Sequence, residues 1–185
     1  MIHYKDIAQL QAERPCVVTL GKFDGVHRGH RKLLARVREI ACRQNMDAAV
    51  FTFSVSPQVK LKKRTGGLLM TNAERAGYLR MQEIGLLVEC PFTDEIRNMS
   101  AEAFVEEILV RKMKAGYIVV GSDFRFGKNR AGSAAYLQGC ASRYGFSVEV
   151  IEKERDAENG REISSSYIRE MLREGKMEKV NDLLG

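Results

Sequence analysis

Five short β-rich apolar runs, separated by longer stretches of helical periodicity, constrain this chain more than any other feature. Cys16–Leu20 stops at Gly21, and Asp47–Phe53 and Leu86–Cys90 follow. A fourth run, 117–120, is closed by Gly121, and the fifth covers 146–151. Between the first two runs, Leu33, Leu34, Val37 and Ile40 recur at helical spacing. Thr71-Asn72-Ala73-Glu74 is a capping-box pattern that predicts a helix reaching Ile84. Ser100 opens another helix, with Phe104, Ile108 and Leu109 on one face. The stretch 132–144 reads as a helix, and 166–184 as two short ones interrupted near Gly175. Such alternation implies right-handed crossovers and an α/β fold, a mainly parallel five-stranded sheet with helices on both faces. In sheets of this kind the ligand crevice lies outside the carboxyl ends of the strands, so chemistry is expected in the loops that follow them.

With 185 residues, 44% of them hydrophobic, the chain can fill one sizeable core, and one domain over 1–185 is expected. No apolar run approaches the roughly 20 residues that span a membrane. The start, Met1-Ile2-His3-Tyr4-Lys5-Asp6, lacks a basic region followed by an apolar signal core, so the expected location is cytoplasmic. Cys16, Cys42, Cys90 and Cys140 are scattered without C-x-x-C or zinc spacing, and free thiols are expected, without structural metal or disulfides. The net charge of +6 favours anionic ligands without choosing among them. No aromatic RNA-recognition motif, zinc finger or basic recognition helix appears, which argues against nucleic acid as the partner. The densest basic run, Lys60-Leu61-Lys62-Lys63-Arg64, reads either as a solvated loop or as a flap over phosphates.

The first strand leads directly into Gly21-Lys22-Phe23-Asp24-Gly25-Val26-His27-Arg28-Gly29-His30. Glycines before a helix start let backbone N–H groups approach phosphate closely. His27 and His30, three apart, share a face if the first helical turn includes both. Gly29 removes a side chain where a triphosphate would lie. Imidazoles at the positive end of a helix suit charge developing on a phosphoryl group. Neither a G-x-x-x-x-G-K-[ST] loop nor a G-x-G-x-x-G fingerprint is present, which weighs against P-loop and dinucleotide-oxidoreductase readings.

Gly21-x-Phe23-Asp24-Gly25-x-His27-x-Gly29-His30 resembles the phosphate-binding signature of prokaryotic FAD synthetases, members of the H-x-G-H nucleotidyltransferases. Gly121-Ser122-Asp123-Phe124-Arg125-Phe126-Gly127 is similar to that family's G-x-D-F-R-F-G element, and Ile163-Ser164-Ser165-Ser166-Tyr167-Ile168-Arg169 to its I-S-S-T-x-I-R. The resemblance covers essentially the whole chain. It implies a Rossmann-like nucleotidyltransferase fold and an FMN adenylyltransferase that joins FMN and ATP, with Mg²⁺, into FAD and pyrophosphate. Typical members carry a C-terminal riboflavin kinase barrel. The stretch 1–185 shows no sequence for that barrel, so a single adenylyltransferase domain without riboflavin kinase activity is expected.

The same resemblance implies roles. His27, His30, Ser164 and Arg169 are the expected catalytic residues. ATP is expected on Gly21, Phe23, Asp24, His27, Gly29, His30, Ser164, Ser165, Ser166 and Arg169. FMN is expected near Ser56, Pro57, Asp123 and Arg125, with at least one of Phe124 and Phe126 in the core. No metal ligand is assigned, because phosphates and waters supply most magnesium ligands in such sites. The chain departs from the family at Ser56, where a histidine is common, at Val55 for a proline, and at Ser166 for a threonine. Glu162 stands where a basic residue usually does, with Arg161 one place earlier. Two alternatives stay open: another H-x-G-H adenylyltransferase with a different phosphorylated acceptor, or a weakly active flavin- or nucleotide-binding module. Oligomeric state is not legible.

Overall fold

The computed structural model describes residues 1–55 and 67–185. In chain order the strands are β1 (Ile2–Tyr4), β2 (Cys16–Leu20), β3 (Asp47–Phe53), β4 (Leu86–Cys90) and β5 (Ala115–Gly121). The short β6 (Arg125–Phe126) and β7 (Gly132–Ser133) pair antiparallel, and β8 is Ser147–Ile151. Six strands form one parallel sheet in the order β1-β4-β3-β2-β5-β8. The helices are α1 (Arg28–Gln44), α2 (Asn72–Met81), α3 (Asp94–Asn98), α4 (Ala101–Ala103), α5 (Ala134–Tyr144), α6 (Ser165–Arg173) and α7 (Met177–Leu184).

The sheet divides the apolar residues into two cores. Val17, Val50, Leu87 and Val119 point to one face with Leu34, Val37, Ile40 and Leu79 from α1 and α2. Cys16, Val18, Phe51, Val88 and Val120 point to the other with Phe104, Ile108 and Leu137. This is the period-2 alternation of strands buried on both sides. After β2 the chain steps in one direction across the sheet through β3 to β4, then crosses over to β5 and β8 on the far side. The reversal places the topological switch point between β2 and β5, where a right-handed α/β sheet opens its crevice.

α4 continues as a π-helix over Phe104–Lys112. Its buried positions Phe104, Val105, Ile108 and Leu109, followed by buried Met113, recur every four to five residues, matching the wider turn of i→i+5 bonding. The expected capping box is present: Thr71 accepts from the Glu74 amide and Glu74 accepts from the Thr71 amide. Three expectations are adjusted. The sheet has a sixth strand, β1, at its edge, whose pairing with β4 no local pattern announces. α2 ends at Met81 because Glu83 adopts φ +56°, which a helix cannot continue. α5 begins at Ala134, since Gly132 and Ser133 pair with β6. A third apolar cluster joins α6 to α7 through Ile163, Tyr167, Ile168, Met171, Val180 and Leu183. Among the described residues, no helix is long and apolar enough to cross a membrane.

Candidate active site

The loop between β2 and α1 sits at the switch point, and its backbone is strained. Phe23 has φ +48° and Val26 φ +27°, with Gly25 between them at +83°. A bulky residue in that region costs on the order of 1–3 kcal/mol and persists only where the surroundings over-determine it. Gly25 has a second constraint, because a Cβ there would lie 2.7 Å from Leu69 Cδ1. Phe23 is fully buried, anchoring the loop from below.

Asp24 is the principal tie. Its Oδ1 accepts from the Leu69 amide at 2.8 Å, and its Oδ2 pairs with the Arg169 guanidinium. Its backbone carbonyl accepts the Ser165 hydroxyl at 2.8 Å. Arg169 also donates to the carbonyls of Gly67 (2.9 Å) and Ser165 (2.7 Å). The H-x-G-H loop and the serine-lined tip of α6 therefore form one contiguous surface.

His27 precedes α1 in extended conformation, and its carbonyl accepts the Arg31 amide at 3.0 Å, so both histidines stand at the helix N-terminus. Their rings stack with centroids 3.8 Å apart, and Phe23 lies 5.0 Å from the His30 ring. A Cβ at Gly29 would come within 3.3 Å of His27 Nδ1, so glycine leaves the imidazole uncrowded. The Nδ1 atoms of both histidines are buried without a hydrogen-bond partner among the described residues. Burial pushes the His27 imidazole down to about 4, with Asp24 opposing the shift. It pushes His30 well below the ordinary value, assisted by His27 and Lys22. Two neutral rings with unmatched nitrogens stand at the positive end of a helix, a place that suits phosphate oxygens.

Each of the three serines has a different placement. Ser164 is the N-cap of α6, accepting from the Tyr167 amide at 3.2 Å. Ser165 is the tie to Asp24, and Ser166 is exposed. Gly21 ends the strand, its amide donating to Phe51 O at 3.1 Å. Asp123 and Arg125 follow β5, next to β2 in the sheet. Asp123 pairs with Lys153 at 3.0 Å, and Arg125 donates to the Phe124 carbonyl at 2.8 Å. Phe126 is buried and stacks on the partly buried Phe124 at 5.5 Å. Arg161 forms a two-pronged pair with Glu170 (2.7 and 2.6 Å) and lies over the Tyr167 ring. Ser56, Pro57 and the 60–64 basic run lie outside the described residues.

Sequence reasoning missed two polar networks beside this site. Asp156, almost wholly buried, accepts from Tyr167 Oη and Lys179 Nζ, both at 2.6 Å, and these bonds pull its carboxyl down to about 2. That network fixes the back of α6 to α7. The second centres on Arg75, only 6% exposed, beneath the strand ends. In sequence it was one more charge near the start of a helix, with nothing to set it apart.

The protein-family model of FAD synthetase matches residues 9–167. Curated relatives with the name bifunctional riboflavin kinase/FMN adenylyltransferase align over nearly the whole chain. The Haemophilus influenzae protein is 32% identical over 92% of this chain and 55% of its own length. The Pseudomonas fluorescens protein is 34% identical over 93% and 55%, and that of Escherichia coli K12 31% over 92% and 54%. The chain thus spans about 55% of the length of the relatives it matches. A solved structure described as a macrolide-efflux protein from Streptococcus pneumoniae superposes with a TM-score of 0.86 at 27% identity, covering 100% of this chain and 59% of the other.

Proposed function

Since the chain belongs to the FAD synthetase family, we propose that it is an FMN adenylyltransferase, transferring the AMP moiety of MgATP to FMN. A phosphate oxygen of FMN attacks the α-phosphorus of ATP. The bond from that phosphorus to the bridging oxygen breaks, and pyrophosphate leaves with its electron pair. No covalent enzyme intermediate is required, so catalysis comes from positioning and charge stabilisation.

One observation carries the reading: two stacked, buried imidazoles with unmatched Nδ1 atoms follow a loop that Asp24 ties to the N-terminus of α6. In this proposal His27 and His30 hold the α- and β-phosphates, aided by the first amides of α1. The Ser164-capped tip of α6 and Arg169 receive the departing pyrophosphate. Gly21, Phe23, Asp24 and Gly29 shape the ATP side, with Ser165 and Ser166 at its edge. Ser56, Pro57, Asp123 and Arg125 serve the FMN side. Magnesium arrives with ATP as substrate, ligated chiefly by phosphate oxygens and water.

Purified protein incubated with FMN and MgATP should yield FAD and pyrophosphate in equal amounts, resolved by chromatography. His27→Ala/His30→Ala should lower turnover by at least the roughly 10²–10³-fold typical of losing one transition-state donor. A folded double variant with wild-type turnover would remove the imidazoles from the mechanism. Pyrophosphate release with nicotinamide mononucleotide or phosphopantetheine, but not with FMN, would overturn the flavin assignment.

A further inference from the structure

The strained loop that carries the imidazoles is tied by Asp24 and packed on Phe23, and a further set of hydrogen bonds holds its first residues. Its Lys22 carbonyl accepts two hydrogen bonds, from Thr52 Oγ1 at 3.3 Å and from Arg75 Nη1 at 3.1 Å. The other end of the same guanidinium, Nη2, donates to the Phe53 carbonyl at 3.1 Å, to Asn72 Oδ1 at 3.0 Å and to Glu89 Oε1 at 2.5 Å. Asn72 in turn donates to the Ser54 carbonyl at 2.9 Å. Arg75 and Glu89 are each only 6% exposed, and His3 on the edge strand approaches the second Glu89 oxygen at 3.5 Å.

One planar side chain therefore ties the start of the H-x-G-H loop, just after β2, to the end of β3 at Phe53. It also braces both against β4 through Glu89. We infer that Arg75 is a positioning residue that sets the spacing between the phosphate-binding loop and the chain following β3. This inference rests on the adenylyl-transfer reading, in which the loop serves ATP. Arginine suits the task because its fork presents donors in fixed directions, whereas a lysine ammonium is a single point charge on a flexible stem. A buried ion pair is weak evidence of stabilisation in itself, since desolvation offsets attraction. The pair's geometry, reaching two strand-end carbonyls at once, is what an apolar replacement cannot supply.

Two variants separate positioning from stability. Arg75→Lys keeps a cation opposite Glu89 but cannot span both carbonyls. Arg75→Met/Glu89→Met removes the charges together, so no unpaired ion is left buried. Both should fold, with kcat reduced on the order of 100-fold, the loss expected for catalytic groups displaced by about 1 Å, and with smaller changes in KM. Amide hydrogen exchange over residues 21–27 should quicken in both. Wild-type kcat in either folded variant, or unchanged exchange in that loop, would overturn the inference. Failure of both variants to fold would make the pair a stability element and would likewise overturn it. If the wild-type protein forms no FAD, the functional reading falls separately, and loop exchange still decides the role of Arg75.

Discussion

Acidification should loosen this protein through His27 in a pH range where carboxylates contribute little. The imidazole drops from its ordinary 6.5 to about 4 in the folded protein, because burial disfavours the cation. The unfolded chain therefore binds this proton first, and the folded state loses stability as pH falls from about 6.5 toward 4. Above about pH 7.5 both states hold a neutral ring and the contribution is constant. Between pH 7 and pH 5 the linkage amounts to about 2 kcal/mol from His27 alone, with His30 adding in the same direction. Glu39, Glu74, Glu149 and Glu170 are held below the ordinary 4.5 by hydrogen bonds to Arg36, Thr71, Arg36 and Arg161 respectively, so their contributions fade at lower pH still. Urea unfolding of wild type and His27→Gln at pH 7 and pH 5 isolates the effect. The wild type should lose about 2 kcal/mol more than the variant over that interval. Saturating MgATP should shrink the wild-type loss, because phosphate oxygens beside the rings favour the protonated form. Equal losses in the two proteins would refute the buried, neutral imidazole and the phosphate argument built on it.

Two further outcomes follow from the same loop. Arg169→Lys should raise KM for MgATP and lower kcat/KM by about 10-fold or more, because an ammonium cannot reproduce the directed contacts to Asp24, Gly67 and Ser165; steady-state kinetics at fixed FMN checks this. Gly25→Ala should destabilise the fold by more than about 1 kcal/mol in urea titration, since alanine resists a positive φ and its methyl would meet Leu69.

Much of the scaffold was legible because it is built from local patterns. Leu86–Cys90 and Cys16–Leu20 are apolar runs bounded by turn residues, and the Thr71–Glu74 box announces its helix without help from elsewhere. The three-residue β1 was not legible, since it is too short for any period and exists through pairing with β4. The π-helical turn was read as ordinary helix, because Phe104, Ile108 and Leu109 fit both spacings over so short a stretch. At the site, the histidines and Gly29 stood out by residue type beside a strand end. The clasp of Asp24 on Arg169 and the hub at Arg75 did not, because ionic partners far apart in sequence look like ordinary surface charges. The Ser165 hydroxyl bonds the Asp24 carbonyl, a tie that only three-dimensional neighbours reveal.

The clasp joins residues that are made far apart in time. Ser165 and Asp24 are separated by 141 positions, and Arg169 and Asp24 by 145. At synthesis rates of roughly 5–20 residues per second, about 7 to 30 s pass between the emergence of one partner and the other. A nascent chain can lay down β2, β3 and their helices in that interval, but its histidine loop waits without the brace that opposes its strain. The histidine loop therefore gains this brace only when the α6 segment leaves the ribosome, long after its own residues have been made.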